Sequence, residues 1–151
     1  MDAIQELVET EAIKKVKHQY AHSLDGKQLD ALVALFTEDA VCEFGQTYGS
    51  WTGHDEIRAG YQVELDKVQG IDYPFMHAIV TPVIDVLDET TARAKWSLIE
   101  MGTESTDIPN ALRLTGVYTD EYRKVDGRWL ISRTHLDFTW PMRDISPAGA
   151  P

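Results

Sequence analysis

The stretch NALRLTGVYTDEYRKVDGRWLISRTHLDFTW, residues 110–140, decides the fold of this chain of 151 residues. Asp126 and Gly127 divide the stretch, and an Asp-Gly pair between two alternating runs is typical of a β-hairpin. We therefore predict antiparallel strands over residues 110–124 and 128–140.

The residues before this hairpin divide into helices followed by further strands. Three segments near the N-terminus carry apolar residues at steps of three and four, which predicts helices. These residues are Ile13, Val16, Tyr20 and Leu24 in the first segment, Leu29, Leu32, Val33 and Phe36 in the second, and Ile57, Tyr61, Leu65 and Val68 in the third. A brief strand is predicted over residues 40–44, and longer strands over 75–86 and 91–101, with a bulge or bend at Pro82.

Helices followed by a run of antiparallel strands indicate an α+β fold. We expect a single domain over residues 1–144 and a loose C-terminal tail over residues 145–151. The third helix is expected to begin within residues 52–55, because the side chain of Thr52 or of Asp55 can accept from unpaired amide groups.

Charge and cysteine content exclude several classes of function. Lys and Arg total 14 against 25 for Asp and Glu, a formal net charge of −11. That balance argues against nucleic acids and anionic membrane surfaces as partners. No apolar run approaches the roughly 20 residues that a membrane span requires. The acidic N-terminus and the single cysteine, Cys42, lead us to expect a cytoplasmic protein.

Three residues are candidates for a reactive centre. His77 begins the strand 75–86 with apolar neighbours on both faces, an environment in which a histidine needs a polar partner. Asp25 ends the first helix before Gly26, and Tyr20 lies on that helix's apolar stripe. Ordinary structural roles remain open for all three: a satisfied core histidine, a turn aspartate and a core aromatic residue. A carboxylate beside a histidine, however, fixes the ring's tautomer and produces a general base.

Metal and cofactor sites are not expected. His18 and His22 have a spacing that can chelate a metal, but they lie away from the apolar stripe and are predicted to face water. Nucleotide-binding glycine motifs and a CxxC motif are absent. We expect Cys42 to be a small buried apolar residue. The predicted site therefore holds no metal and no cofactor.

Several stretches resemble the SnoaL-like branch of the nuclear transport factor 2-like superfamily. They are residues 20–25 with Leu32, Phe36 and 39–41, then 51–57, then Met76-His77, and finally 116–122 with 126–129. The resemblance spans nearly the whole chain. It implies a cone-shaped, strongly curved antiparallel sheet that packs against three N-terminal helices.

Within that branch the chain is similar to scytalone dehydratase, bile acid 7α-dehydratase and hexachlorocyclohexane dehydrochlorinase. The resemblance implies a metal-free β-elimination in which His77 removes a proton, Asp25 orients the imidazole and Tyr20 donates to the substrate. Substrate contacts are expected from Tyr48, Trp51, Trp96 and His135, with Phe75, Leu98 and Leu112 as further wall candidates. The dehydrochlorinase has an arginine where this chain has Thr134 beside Arg133, which argues against dehydrohalogenation.

The resemblance leaves other functions open, because this fold hosts many activities. A ketosteroid-isomerase-like enzyme, a polyketide cyclase, and a non-catalytic scaffold like the β subunit of a ring-hydroxylating dioxygenase are the alternatives. Relatives associate through the outer face of the sheet, which implies a homo-oligomer, either a dimer or a trimer. The expected partner is a small apolar cyclic, polyketide-like or steroid-like substrate.

Overall fold

The computed structural model of the chain describes residues 1–102, 112–141 and 143–145, and of Leu112 the backbone only. The helices and strands are α1 (Ala3–Asp25), α2 (Leu29–Val33), β1 (Phe36–Glu43), α3 (Gly45–Tyr48), β2 (Ser50–Thr52), α4 (Gly53–Asp66), β3 (Phe75–Val86), β4 (Thr91–Gly102), β5 (Leu112–Val125) and β6 (Arg128–Trp140). The predicted α+β class is confirmed: the helices lie in the N-terminal half, where β1 and β2 stand between them, and the long strands β3 to β6 follow.

The strands form a six-stranded, curled and unclosed sheet in the order β2-β1-β6-β5-β4-β3. Strands β3 to β6 form an antiparallel meander, and β1 pairs antiparallel with β2. The expectation of a wholly antiparallel sheet is wrong at one pair, because β1 runs parallel to β6. Those two strands are far apart in sequence, so no tight turn forces them to run in opposite directions.

Two local predictions need correction. The second helix ends at Val33, and Phe36, which we assigned to it, begins strand β1. A residue in a strand and a residue in a helix can be equally buried, so the apolar spacing of so short a segment could not separate the two. Thr52 precedes α4 as expected, but its hydroxyl makes no capping bond. Instead its backbone amide donates to Glu56 Oε2 at 2.8 Å.

Other local features follow the sequence. Pairing between β3 and β4 shifts register between Val80 and Val83, and Thr81 adopts a φ of +52° there, so the bend expected at Pro82 is present. Gly60 lies inside α4 because the Trp51 indole packs against it. A Cβ at this position would lie 2.1 Å from a ring atom of Trp51.

The helices cover the inner face of the sheet, and the core lies between the two. Along β6 the alternate residues Thr134, Leu136 and Phe138 are buried and face the helices. Helix α1 contributes the stripe of Ile13, Val16, Tyr20 and Leu24, as its spacing predicts. His18 and His22 are exposed on its other side, also as predicted. The expected boundary of the domain at residue 144 stays a prediction, since residues 146–151 lie outside the described part.

Candidate active site

A cavity opens between α1, α4 and the inner face of the sheet. Its free space amounts to about 660 Å³, a figure that includes space open to solvent. Half of the residues that line it are aromatic, namely Tyr20, Phe44, Tyr48, Trp51, Tyr61, Phe75, Tyr118 and Phe138. His77, Glu64, Lys67, Glu100 and Arg113 add the ionisable groups. Such a wall suits a flat apolar molecule with a few polar atoms.

Asp25 and His77 meet at the edge of this cavity. His77 Nδ1 lies 2.5 Å from Asp25 Oδ1, and the backbone N–H of His77 donates to Asp25 Oδ2 at 3.0 Å. An ionised carboxylate can only accept, so Nδ1 carries the proton in this contact. In the neutral form of the ring, the other nitrogen, Nε2, then carries the lone pair that a general base requires.

Both side chains of this pair are nearly enclosed, with 8% of His77 and 12% of Asp25 exposed. Asp25 occupies the last position of α1, where unpaired carbonyl groups disfavour a carboxylate. The two bonds from His77 supply the compensation that the sequence analysis expected. The contact predicted between these residues is therefore present, and Tyr20 lines the same cavity.

A second carboxylate, Glu100, approaches His77 from the opposite side. Residues 77 and 100 are directly paired across β3 and β4, and His77 Nε2 lies 3.6 Å from Glu100 Oε2. Glu100 is only 8% exposed, and its Oε1 lies 3.9 Å from Arg113 Nε. The sequence analysis missed Glu100. Its place among the inward positions of β4, two residues after Leu98, was a usable signal.

Three tyrosine hydroxyls from three elements converge in the cavity wall. Tyr20 Oη lies 2.9 Å from Tyr61 Oη and 3.4 Å from Tyr118 Oη. We call Tyr20, Tyr61 and Tyr118 the tyrosine cluster. Burial raises the pKa of all three phenols well above the ordinary value, so they remain protonated and can donate hydrogen bonds. Only Tyr20 of this cluster was predicted as a site residue.

The predicted substrate contacts divide into two groups. Tyr48, Trp51 and Phe75 line the cavity. Trp96 and Leu98 face inward and are 1% exposed, but they pack in the core away from the cavity wall. The expectation that Trp96 lines the cavity is therefore corrected. The alternation of side chains along β4 gave the face on which Trp96 lies, but not its position along the strand relative to the cavity. The side chain of Leu112 lies outside the described part.

His135 is also placed differently from the expectation. It lies on the outer face of β6, whereas the next residue, Leu136, points to the cavity. The Nε2 atom of His135 lies 3.1 Å from Asp137 Oδ1. Arg133 shares that face and bonds Glu43 through two nitrogens at 3.0 Å each. Thr134, between them, points inward and donates to Asp120 Oδ1 at 2.7 Å.

The described residues contain no group of three or more His, Cys, Asp and Glu side chains placed to hold a metal ion. Within the same residues, every helix is too short or too polar to cross a lipid bilayer. Cys42 is fully buried in the core as a free thiol, as expected from the sequence. The absence of a metal and of a cofactor from the reaction stays a prediction.

Known proteins resemble this chain over almost its full length. The SnoaL-like domain family matches residues 5–135. A scytalone dehydratase-like protein from Novosphingobium aromaticivorans superimposes with a TM-score of 0.82 and 27% identity, covering 99% of both chains. An aromatic ring hydroxylase-like protein from the same organism gives 0.75 and 25%, covering 93% of this chain and 94% of its own.

LinA superimposes with a TM-score of 0.80 at 17% identity, covering 100% of this chain and 99% of its own. At that identity the likeness concerns the fold. The family and the curled-sheet architecture expected from the sequence are both confirmed.

Proposed function

The chain belongs to the SnoaL-like domain family, and from this premise we propose that it is a metal-free lyase of the dehydratase type. Its substrate is a small apolar cyclic molecule, polyketide-like or steroid-like, that carries a hydroxyl group β to a carbonyl. One observation carries the proposal. His77 Nδ1 lies 2.5 Å from Asp25 Oδ1, and the other ring nitrogen of His77 faces a cavity lined by aromatic side chains.

The reaction begins with proton removal from the carbon next to the carbonyl. His77 Nε2 takes that proton, while Asp25 holds the ring through Nδ1–H. The electron pair of the C–H bond moves toward the carbonyl, whose oxygen gains negative charge. A hydroxyl of the tyrosine cluster donates to this oxygen, with Tyr20 central because it contacts both partners.

The second step expels the leaving group. The electron pair returns to form the carbon–carbon double bond, the C–O bond breaks, and the departing hydroxide takes the proton from His77 Nε2. Water leaves and the Asp25–His77 pair returns to its starting state, so no net proton is gained or lost. During the step the imidazolium lies between Asp25 and Glu100, and both carboxylates attract its charge.

The replacement of an arginine by Thr134 supports water over halide as the leaving group. Thr134 is fully buried and tied to Asp120, so it offers no cation to a departing anion. Arg133, the neighbouring cation, is bound to Glu43 on the outer face of the sheet. The dehydratase reaction needs no such cation, because the leaving hydroxide is neutralised by a proton.

A specific observation keeps isomerisation as a second candidate. Glu100 lies 3.6 Å from His77 Nε2 in the same cavity, so two acid–base groups are available to take a proton from one carbon and return one to another. Ketosteroid-isomerase-like chemistry needs such an exchange and no leaving group. A polyketide cyclase would use the same pair for ring closure.

The test is to identify the cavity's ligand and its product. The purified chain is incubated with a panel of cyclic β-hydroxyketones, and mass spectrometry follows the products. Loss of one water that depends on His77 supports the dehydratase, whereas a product of unchanged mass supports isomerisation. Binding without any product would favour the scaffold and contradict the proposal. His22→Ala, an exposed histidine on α1, is the matched control for His77→Ala.

We also propose that the chain forms a homo-oligomer, a dimer or a trimer. The outer face of β3 and β4 supports this with five exposed apolar side chains, namely Met76, Val80, Val83, Ile99 and Met101. A second copy packed here would cover them. The double variant Val80→Glu/Ile99→Glu should shift the mass found by light scattering to that of a monomer, and an unchanged mass would place any interface elsewhere.

The expected surroundings complete the proposal. The net charge of −11 supports a small molecule rather than nucleic acid or a membrane surface as the partner. The one cysteine, Cys42, cannot form an intramolecular disulfide, and this supports a reducing compartment such as the cytoplasm. Fractionation of the source cells tests this location.

A further inference from the structure

A fully buried ion pair lies directly behind the tyrosine cluster. Lys17 falls on the inward stripe of α1, and its Nζ is 2.8 Å from Asp120 Oδ2 on β5. Neither side chain has any exposed surface. The carboxylate also accepts from Tyr122 Oη at 2.8 Å and from Thr134 Oγ1 at 2.7 Å. Burying two charges is costly, and apolar residues of similar size would often be at least as stable, so stability alone does not account for this pair.

The ion pair has its positive end, Lys17, toward the cavity and its negative end, Asp120, away from it. Lys17 Nζ lies 3.6 Å from the centroid of the Tyr118 ring and 4.5 Å from that of Tyr20. Both rings end in hydroxyls of the tyrosine cluster. The negative end, Asp120, is bonded instead to Tyr122, which does not line the cavity. The positive end of the dipole therefore lies over the rings whose hydroxyls line the cavity.

We propose that Lys17 is a positioning residue of the active site: its buried ammonium, held by Asp120, makes the tyrosine cluster a stronger hydrogen-bond donor to a substrate oxygen that gains negative charge. This inference rests on the proposed elimination, in which such charge develops. A donor that gives up part of its proton takes on phenolate character, and a cation against the ring face stabilises that state. The cation needs no reorganisation during the reaction because packing already fixes it.

Other ionisable groups surround the cluster and were weighed against Lys17. Glu100 on β4 and Asp120 oppose ionisation of Tyr118, and Tyr61 on α4 opposes that of Tyr20. Cys42 on β1 stays a neutral thiol because burial raises its pKa. Burial lowers the pKa of Lys17, and Asp120 works against that shift. Lys17 supplies the cation that lies over the two rings, 3.6 Å from the Tyr118 centroid and 4.5 Å from the Tyr20 centroid.

The test places an acidic tyrosine analogue either at position 118, beside Lys17, or at position 122, beside Asp120. Difluorotyrosine, whose phenol ionises near neutral pH, replaces Tyr118 in one preparation of the full chain and Tyr122 in another. Both sites are buried alike, with 2% and 1% exposed. Its ultraviolet absorbance reports ionisation without any substrate. We expect the analogue at 118 to ionise more readily than that at 122 by at least about tenfold, which is one pH unit.

A second arm removes both charges together. In the double variant Lys17→Met/Asp120→Asn, the analogue at 118 should become harder to ionise by on the order of tenfold. Lys14→Met, a partly exposed lysine on the same helix, should leave it unchanged. Equal ionisation at 118 and 122, or no shift in the folded double variant, overturns the proposal. The bond from Tyr122 to Asp120 by itself disfavours ionisation at 122. If the double variant does not fold, the analogue at 118 is therefore titrated in Lys17→Gln/Asp120→Asn, where the same shift is expected and its absence overturns the proposal.

Turnover separates this inference from the proposed function. With an accepted substrate, the double variant should lose kcat by about tenfold while KM changes little, because the cation acts only once charge develops. An unchanged kcat contradicts the role of Lys17. Titrations that behave as expected in a chain with no turnover on any substrate would instead contradict the proposed elimination.

Discussion

Two polar pairs join α1 to the sheet eight residues apart, and they differ in what surrounds them. Asp25–His77 has its acid on the helix and its base on β3, with 12% and 8% of the side chains exposed. Lys17–Asp120 has its base on the helix and its acid on β5, with no exposed surface. The first pair keeps a ring nitrogen open to the cavity. The second has protein groups on every side.

The difference separates a reactive pair from a supporting one. Water or substrate can enter the cavity and solvate whichever partner of Asp25–His77 remains when the other is removed. No such replacement can reach Asp120, which would be left as an unpaired charge inside the core. Loss of one partner should therefore affect chemistry at the open pair and folding at the sealed pair.

The largest expected effect is on turnover at the open pair. His77→Ala and Asp25→Asn should each lower kcat by roughly 10²–10⁴, the usual contribution of a positioned general base. The free energy of unfolding should change little in His77→Ala, because the backbone N–H of residue 77 still donates to Asp25. Steady-state kinetics and urea unfolding measured on the same preparations test both statements.

A control variant makes this result interpretable. His22→Ala alters an exposed histidine of α1 and should leave both quantities unchanged. If His77→Ala and Asp25→Asn lowered stability strongly while activity per folded molecule persisted, the pair would be structural and the proposed mechanism would fail.

The next largest effect is on stability at the sealed pair. Lys17→Met should lower the free energy of unfolding by about 3–5 kcal/mol, because it strands the Asp120 carboxylate in the core. The double variant Lys17→Met/Asp120→Asn should lose less than this single variant, since no unpaired charge remains. Urea unfolding of both variants and of Lys14→Met gives the comparison. A single variant as stable as the wild type would show that Asp120 finds another partner or water.

The two pairs also show what a sequence can predict about this molecule. The hairpin at Asp126-Gly127 and the apolar stripe of α1 are local patterns, and both elements form as predicted. Asp25 and His77 were matched through the family resemblance, and the fold brings them together. Their local sequence alone allowed ordinary structural roles as well, because nothing local fixes a contact across 52 residues.

The residues that were missed or misplaced depend on register and depth. Glu100 meets His77 because β3 and β4 pair in one particular register, which neither strand specifies alone. Lys17 lies on the apolar stripe, but a lysine is expected at the surface unless its partner is known. Trp96 points inward, but its position along β4 does not bring it to the cavity wall. The parallel pairing of β1 with β6 likewise arises only from the whole fold.

A smaller effect is expected at Glu100, which touches the open pair without belonging to it. Glu100→Gln keeps the size of the side chain and removes its charge, 3.6 Å from His77 Nε2. Turnover should fall by on the order of tenfold, less than for His77, because the Arg113 guanidinium already offsets part of this charge. Stability should stay close to that of the wild type. A loss as large as that of His77→Ala would make Glu100 an equal partner in proton transfer and favour isomerisation.

The smallest effect is expected at an acid that lies wholly in solvent, in the turn between β3 and β4. Asp88 accepts from the Thr91 hydroxyl at 2.6 Å and from the backbone amides of Thr90 and Thr91 at 2.7 and 2.8 Å. These bonds, that of the Thr91 hydroxyl foremost, lower the pKa of Asp88 from 3.8 to about 2. A carboxyl group whose pKa is lower in the folded chain stabilises the fold above the unfolded pKa, and this contribution is lost as the pH falls.

Asp88→Asn should therefore melt at a slightly lower temperature than the wild type at neutral pH, and this gap in melting temperature should close between pH 3.8 and about 2. Melting curves across that range, with the neighbouring exposed Glu89→Gln as control, measure the gap. A gap that persists unchanged to the acid end would show that the carboxylate's charge contributes nothing to the turn.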